Sequence, residues 1–339
     1  MKDKQGCYII AEVGPNHNGS LEVALKYVEA LAAIGVDAVK FQMGNPLNSY
    51  SLDAFKANYQ EGRDKTKSPI EMSKRYQLPF QDHIKLYEKC KELGVDYSCS
   101  AFEMDSLNFL WDNIPMPFFK IPSGEIFTLD MVDFMAQKDL PIILSTGMST
   151  FEEIEKGIAL FEARGPKDIT ILHCVSSYPA SPEDINLNVM LELRKRFGRN
   201  VGYSDHMLGN EASIAAVALG ATVVEKHVTF DKNDEGPDHQ ASATIEEFAD
   251  LVKAIRKVET LMGTNEKIFT EKEIGIKKVA RKSIVAKTDL PVGHIITQED
   301  LCYKRPGFGY LPTEQDQVIG KKVSTTIEGN RVIRPEHLA

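Results

Sequence analysis

Eight short, apolar, β-branched segments lie between Tyr8 and Val228, each followed by a stretch of helical period, and this alternation constrains the fold more than any other feature. The segments are Tyr8–Gly14, Val36–Gln42, Val95–Phe102, Phe118–Gly124, Pro141–Gly147, Ile169–Val175, Asn200–His206 and Thr222–Val228. The first intervening stretch, SLEVALKYVEALAAIG, repeats apolar residues at Leu21, Ala24, Leu25, Val28, Leu31 and Ala32, the spacing of one helix face. Nearly continuous apolar strands imply burial on both sides, hence a parallel sheet covered by helices. Eight such units in series predict an α/β fold closed into a (β/α)8 barrel rather than an open doubly wound sheet. No GxGxxG or GxxxxGK[ST] loop is present, which weighs against dinucleotide or nucleoside triphosphate binding.

The pattern changes after the helix Ile245–Leu261. A charged stretch gives way to short strands and turns such as PVG and EGN. The predicted organisation is a barrel over residues 1–265, a linker over 266–282 and a small β-rich domain over 283–339. A chain of 339 residues, 42% of them hydrophobic, can support one large core and one modest one. A long insertion, Met43 to Pro79, follows the second strand. Its prolines and mixed charges (Glu61, Arg63, Asp64, Lys65) predict an ordered loop or lid over the barrel mouth.

Composition excludes some partners. A net charge of −9 argues against nucleic acid, and no apolar run approaches the roughly 20 residues of a membrane span. The five cysteines are scattered, odd in number and without a CxxC pair. Together with an N-terminus lacking an apolar leader, they predict reduced thiols and a cytoplasmic protein.

In a barrel of this kind the active site forms where the strands end. Those ends carry Glu12, Lys40, Gln42, Ser100, Lys120, Ser123, Glu125, Ser145, His173, Ser176, Tyr178, Ser204, Asp205, His206, Glu225, Lys226 and His227. A single histidine there is more often a satisfied core residue than a ligand. His206 and His227 end neighbouring strands at matching depth, with Asp205 and Glu225 beside them, and are expected to share a divalent metal. Lys40 and Lys120 would be costly inside apolar strands unless an anion pairs with them. With the hydroxyls of Ser100, Ser123, Ser145 and Ser204 they predict a phosphate and carboxylate pocket. Glu12 and Glu125, with Asp205, are the candidate acid–base groups. A plain salt bridge from Glu12 to Lys40 on the next strand is the alternative.

Several segments together resemble the sialic acid (nonulosonate) synthases: IIAEVGPNHNGS, DAVKFQ, FFKIPSGE, PIILSTGM, LHCVSSYP, VGYSDH, VALGATVVEKHVT and EGPDHQAS, with KRPGFG near the end. The resemblance implies a barrel followed by an antifreeze-like (SAF) domain in a domain-swapped homodimer, each small domain covering its partner's barrel mouth. By matching motif, His206 and His227 would hold Mn2+, with Mg2+ or Co2+ as alternatives. Lys40, Ser100, Lys120, Ser123, Ser145, Ser176 and Ser204 would bind phosphoenolpyruvate. Ser176 stands where members of the family can carry Asn. Gln42, Tyr178 and Asp238 would bind the sugar, and Arg305, in KRPGFG, would reach the acylamino group from the partner subunit.

The implied activity is condensation of phosphoenolpyruvate with an open-chain hexose, releasing phosphate by C–O cleavage. N-acetylmannosamine is the first expected acceptor. Legionaminate- or pseudaminate-type diacetamido sugars, a 6-phosphate acceptor and unacetylated mannose are alternatives, and the divergent stretches CSAFEMDS and QMGNPLNSY leave the choice open. Two other classes compete: a metal-dependent pyruvate aldolase, which would not need the lysines and serines, and a carbohydrate-binding protein, which would not need the polar ring.

Overall fold

The computed structural model describes residues 6–57, 60, 63 and 65–339; Glu61 and Asp64 of the insertion lie outside the described residues, as do the first five. The chain divides into two compact units, Met1–Gly263 and Thr264–Ala339.

The first unit is a parallel barrel. Its strands are β1 (Tyr8–Glu12), β2 (Ala38–Met43), β3 (Asp96–Ala101), β4 (Phe119–Ile121), β5 (Ile142–Ser145), β6 (Ile169–Cys174), β7 (Val201–Asp205) and β8 (Val223–Thr229). Ladder order runs β3-β2-β1-β8-β7-β6-β5-β4, and β3 adjoins β4 to complete the ring. A two-residue strand, β9 (Ala243–Thr244), pairs in parallel with the end of β8. All eight segments read from the sequence contain strands; most are shorter than the segments, whereas β8 keeps the same length one residue further on.

Alternation along the strands separates two cores. Outward residues such as Ile9, Val39, Phe41, Leu144, Ile171, Tyr203 and Val224 pack with the helices. Inward residues Tyr8, Ile10, Ala38, Phe118, Ile143, Leu172 and Val223 fill the barrel floor. Gly202 belongs to that floor: a Cβ there would strike the Val223 carbonyl and the Leu172 side chain, so only glycine lets β7 close the ring. Two residues further along each strand the inward positions become polar, and the site is built on this step.

Helix boundaries follow local chemistry. Ser20 accepts from the Val23 amide at the start of Leu21–Ile34, and Gly35, at φ 81°, ends it. Thr150 and Thr244 close capping boxes with Glu153 and Glu247. Within the insertion, short helices span Pro46–Ser49 and Pro69–Tyr76, each with proline in the first turn.

The second unit holds a helix, Glu271–Ala280, and an antiparallel pair, β10 (Ser283–Ala286) and β11 (Leu301–Lys304). Ile284, Leu290, Ile296, Leu301, Val318, Val323, Ile327 and Ile333 form its own small core. Among the described residues no helix is long and apolar enough to cross a membrane.

Candidate active site

Above the floor the inward positions converge in a deep chamber of about 60 Å³, lined by Glu12, Lys40, Ser100, Lys120, Ser123, Ser145, Cys174, Ser204, His206, Glu225 and His227. It shares Gln42, Tyr178 and His227 with a wider outer chamber of about 430 Å³.

Both deep lysines are buried. Lys40 Nζ lies 2.7 Å from Glu12 Oε2 and 3.7 Å from Glu225 Oε1, and Lys120 Nζ lies 3.6 Å from the same Glu225 oxygen. Lys120 donates to the Ser145 hydroxyl at 2.9 Å, Lys40 to that of Ser100 at 3.4 Å, and Ser204 to Glu225 at 3.4 Å. The Glu12–Lys40 salt bridge is therefore present, within a network of two ammonium groups and two carboxylates.

That network sets the proton affinities. Burial pushes Glu12 up to about 7; the Lys40 charge opposes the rise and the Glu225 charge adds to it. Burial would raise Glu225 too, but Lys120 and Lys40 outweigh it and hold the carboxyl below its ordinary value. Burial lowers Lys120. Burial thus favours the protonated form of Glu12 while the lysines hold Glu225 ionised, which suits Glu12 to give or take a proton.

His206 and His227 face each other across the junction of the two chambers, ring centroids 5.5 Å apart. Val175 O lies 2.7 Å from His206 Nδ1; accepting that N–H, it leaves Nε2 with its lone pair toward the cavity. Burial, then the charges of His206 and the nearby lysines, keeps His227 well below the ordinary imidazole value and so neutral. Its Nδ1 is buried without a hydrogen bond, 3.6 Å from Asp238 Oδ2. Burial alone would lower His206, yet the neighbouring Cys174 and the Val175 carbonyl raise it, so a proton and a cation would compete for this ring. Among the described residues no cluster of three His, Cys, Asp or Glu could hold a metal. Two neutral-capable imidazoles with an unsatisfied ring nitrogen fit a divalent ion whose remaining positions go to water and substrate.

The outer chamber is built by loops. Tyr178 lies with its ring centroid 4.1 Å from that of His206, and Gln42 donates to Glu12 Oε1 at 2.7 Å. Asp238 is buried and pushed up to about 6 by that burial. Ser176 reaches this chamber rather than the deep one, packed with Ser123 around Gly147, where any side chain would overlap both hydroxyls. The insertion supplies a wall: Ser49, Tyr50, Ala57, Gln60, Met72, Ser73, Tyr76 and Gln77. Arg63 fastens it, donating to the carbonyls of Tyr178 at 3.0 Å and Pro237 at 3.1 Å.

Two expected acid–base groups lie elsewhere. Asp205, adjacent to inward Ser204, points outward by strand alternation and is consumed by Ser213, Lys226 and the Met207 amide. Glu125 follows β4 in a 3-10 turn, half-buried, where Thr128 donates to it; it lines neither the deep nor the outer chamber. His173 and Lys226 also face outward, His173 against the Ile185 carbonyl. Arg305 belongs to the second unit, where its Nε donates to Ala280 O at 2.9 Å. Glu225 received no role from the sequence although it stands two residues before His227, a spacing that puts both on one face of β8.

The model of the NeuB family matches residues 27–267, and that of the SAF domain residues 281–339. The chain belongs to the NeuB family. Among NeuB relatives, the N,N'-diacetyllegionaminic acid synthase of Legionella pneumophila is 38% identical over 337 residues, 98% of this chain and 94% of that protein. The human N-acetylneuraminate-9-phosphate synthase is 33% identical over 333 residues, 97% of this chain and 92% of that one. The crystal structure of the N-acetylneuraminic acid synthetase from Leptospira borgpetersenii superposes with a TM-score of 0.72 at 29% identity, covering 80% of this chain and 90% of that chain. These relatives are thus named as synthases of N,N'-diacetyllegionaminic acid and of N-acetylneuraminate 9-phosphate, and the SAF-domain match falls on the second unit of this chain.

Proposed function

We propose that this NeuB-family chain condenses phosphoenolpyruvate with an uncharged, open-chain N-acylated amino hexose to give a 3-deoxy-2-keto sugar acid and inorganic phosphate. The observation that carries the reading is the stacking of the two chambers. Buried Lys40 and Lys120, with their serine partners, line the same deep chamber as the His206–His227 pair.

The lysines and the hydroxyls of Ser100, Ser123, Ser145 and Ser204 hold the phosphate and carboxylate of the enol phosphate, while Ser176 borders them from above. Gln42, Tyr178 and Asp238 orient the acceptor. A bound divalent ion, Mn2+ being the first candidate, would be held by His206 and His227 and would supply Lewis-acid polarisation of the acceptor carbonyl. The C3 of phosphoenolpyruvate attacks the aldehyde carbon, the carbonyl oxygen takes a proton, and water adds at C2. The C2–O bond then breaks, its electron pair leaving with phosphate. Glu12, poised near pH 7, is suited to move the proton between water and the leaving group. Fixing both reactants in contiguous chambers supplies much of the acceleration.

No lysine or arginine is among the described residues lining the outer chamber, which disfavours a phosphorylated acceptor. Met72, Tyr76 and Phe102 give its wall an apolar face. That face and the 38% identity to a diacetyllegionaminic acid synthase favour a 2,4-diacetamido-trideoxy hexose over N-acetylmannosamine, the acceptor expected first from the sequence. The homodimer is part of the proposal, with Arg305 serving the acceptor's acyl group in a partner's barrel. So is a cytoplasmic setting, in keeping with an odd number of scattered cysteines.

The test is an acceptor panel, N-acetylmannosamine, its 6-phosphate, mannose and the diacetamido sugar, each mixed with phosphoenolpyruvate and read by product mass. A nine-carbon keto acid from an uncharged N-acyl sugar is expected. Preference for the 6-phosphate refutes the acceptor assignment, and absence of any product refutes the activity.

A further inference from the structure

Outside the barrel, directly behind the two imidazoles, lies an ion pair that the chemistry above does not use. Lys226 and Asp205 are both buried, and Lys226 Nζ donates to Asp205 Oδ2 at 2.9 Å. They form the last rung of the β7–β8 ladder. The next residue on each strand is His206 or His227. Alternation turns the pair away from the mouth while the residues on either side of Lys226, Glu225 and His227, point into it.

The pair is not isolated. Ser213, on the helix Glu211–Ala218, donates to Asp205 Oδ2 at 2.6 Å, and Tyr203 to Oδ1 at 3.4 Å. Asp205 Oδ1 accepts the Met207 amide at 2.9 Å, and Lys226 Nζ also donates to the Met207 carbonyl at 2.6 Å. The His206 carbonyl accepts from Ala180 N at 2.9 Å, tying in the loop that carries Tyr178. Both backbone polar groups of Met207, and the carbonyl of His206, are therefore pinned. A buried ion pair generally contributes little net stability compared with apolar packing. Here its bonds hold both backbone groups of Met207, the residue after one imidazole, and its lysine precedes the other.

We propose that Lys226 and Asp205 are positioning residues that fix the spacing of His206 and His227 for a divalent cation. This rests on the reading of the two rings as its ligands. Ligand-orienting groups of this kind typically contribute tenfold to a hundredfold in metal affinity.

The test uses the full-length protein and Mn2+ alone, with free ion read by electron paramagnetic resonance. The variant Asp205→Asn/Lys226→Met removes both charges together and leaves no buried charge unpaired. Its dissociation constant for Mn2+ is expected to rise roughly tenfold to a hundredfold, while phosphoenolpyruvate affinity stays within about twofold. An unchanged Mn2+ constant overturns the proposal, as does an equal loss for phosphoenolpyruvate, which would mean general loosening. His206→Ala is measured in parallel. If it binds Mn2+ normally, the two-ring site falls and the brace with it; if it loses Mn2+ while the double variant does not, only the brace falls. Should the double variant fail to fold, Ser213→Ala removes one donor to Asp205 and is expected to weaken Mn2+ binding by a few-fold, no change being the refuting result.

Discussion

Glu12 makes the chamber's electrostatics measurable without substrate. Its carboxyl protonates near 7 in the folded chain against about 4.5 in the unfolded one, because burial disfavours the ion more than Lys40 favours it. The sign is opposite to that of a surface acid. Below about pH 4.5 the group is protonated in both states and costs nothing. Between 4.5 and 7 the unfolded chain releases the proton and the folded chain keeps it, so stability falls as pH rises. Two and a half pH units at 1.36 kcal/mol each give a total of roughly 3 kcal/mol, most of it between pH 5 and pH 8. Glu12→Gln keeps the acceptor oxygen for Gln42 and removes the titration. The variant should gain about 2 to 3 kcal/mol relative to wild type between pH 5 and pH 8, roughly 5–10 °C in relative Tm. Differential scanning of both proteins across that range, without substrate, provides the comparison. Curves that run parallel to within about 1 °C would refute the claim that this carboxylate is held in the chamber at a cost.

Two other perturbations probe the chambers. Lys120→Met leaves Glu225 paired with Lys40, so the fold should survive; losing one charge-assisted anchor of about 1.5–3 kcal/mol should cut kcat/KM for phosphoenolpyruvate by roughly 10- to 150-fold in a phosphate-release assay. An unchanged constant would remove Lys120 from the anion site. Mixing inactive His206→Ala with inactive Arg305→Ala should restore activity if each arginine serves a partner's barrel, because one mouth in the mixed dimer is then intact. No recovery in verified mixed dimers would assign Arg305 to the barrel of its own subunit.

The barrel was legible because eight doubly buried strands leave a signature that survives without coordinates. Lys40, Lys120 and the serines were legible for the same reason: polar groups near the ends of apolar strands need an explanation. The differences in placement cluster where one residue of position decides orientation. Asp205 and Ser204 are neighbours, and a half-turn of the strand sends one toward the helices and the other into the chamber. Counting in twos back from His227 would have selected Glu225 and set Lys226 outside. Glu125 fails differently. It lies beyond the ladder in a 3-10 turn, where no period reports direction and the nearby Thr128 captures the carboxylate. Arg63 was visible as one charge in a mixed stretch, but its two carbonyl acceptors come from loops more than a hundred residues away. Long-range loop closure leaves no local pattern to read.

The central claim is that the deep chamber holds an enol phosphate whose C2–O bond breaks during condensation. Phosphoenolpyruvate labelled with 18O at the oxygen bridging C2 and phosphorus, mixed with enzyme, Mn2+ and the best acceptor of the panel, reports this directly through the mass of the released phosphate. The label should leave entirely with phosphate. Unlabelled phosphate, with the 18O retained at C2 of the product, would mean P–O cleavage and would contradict the account.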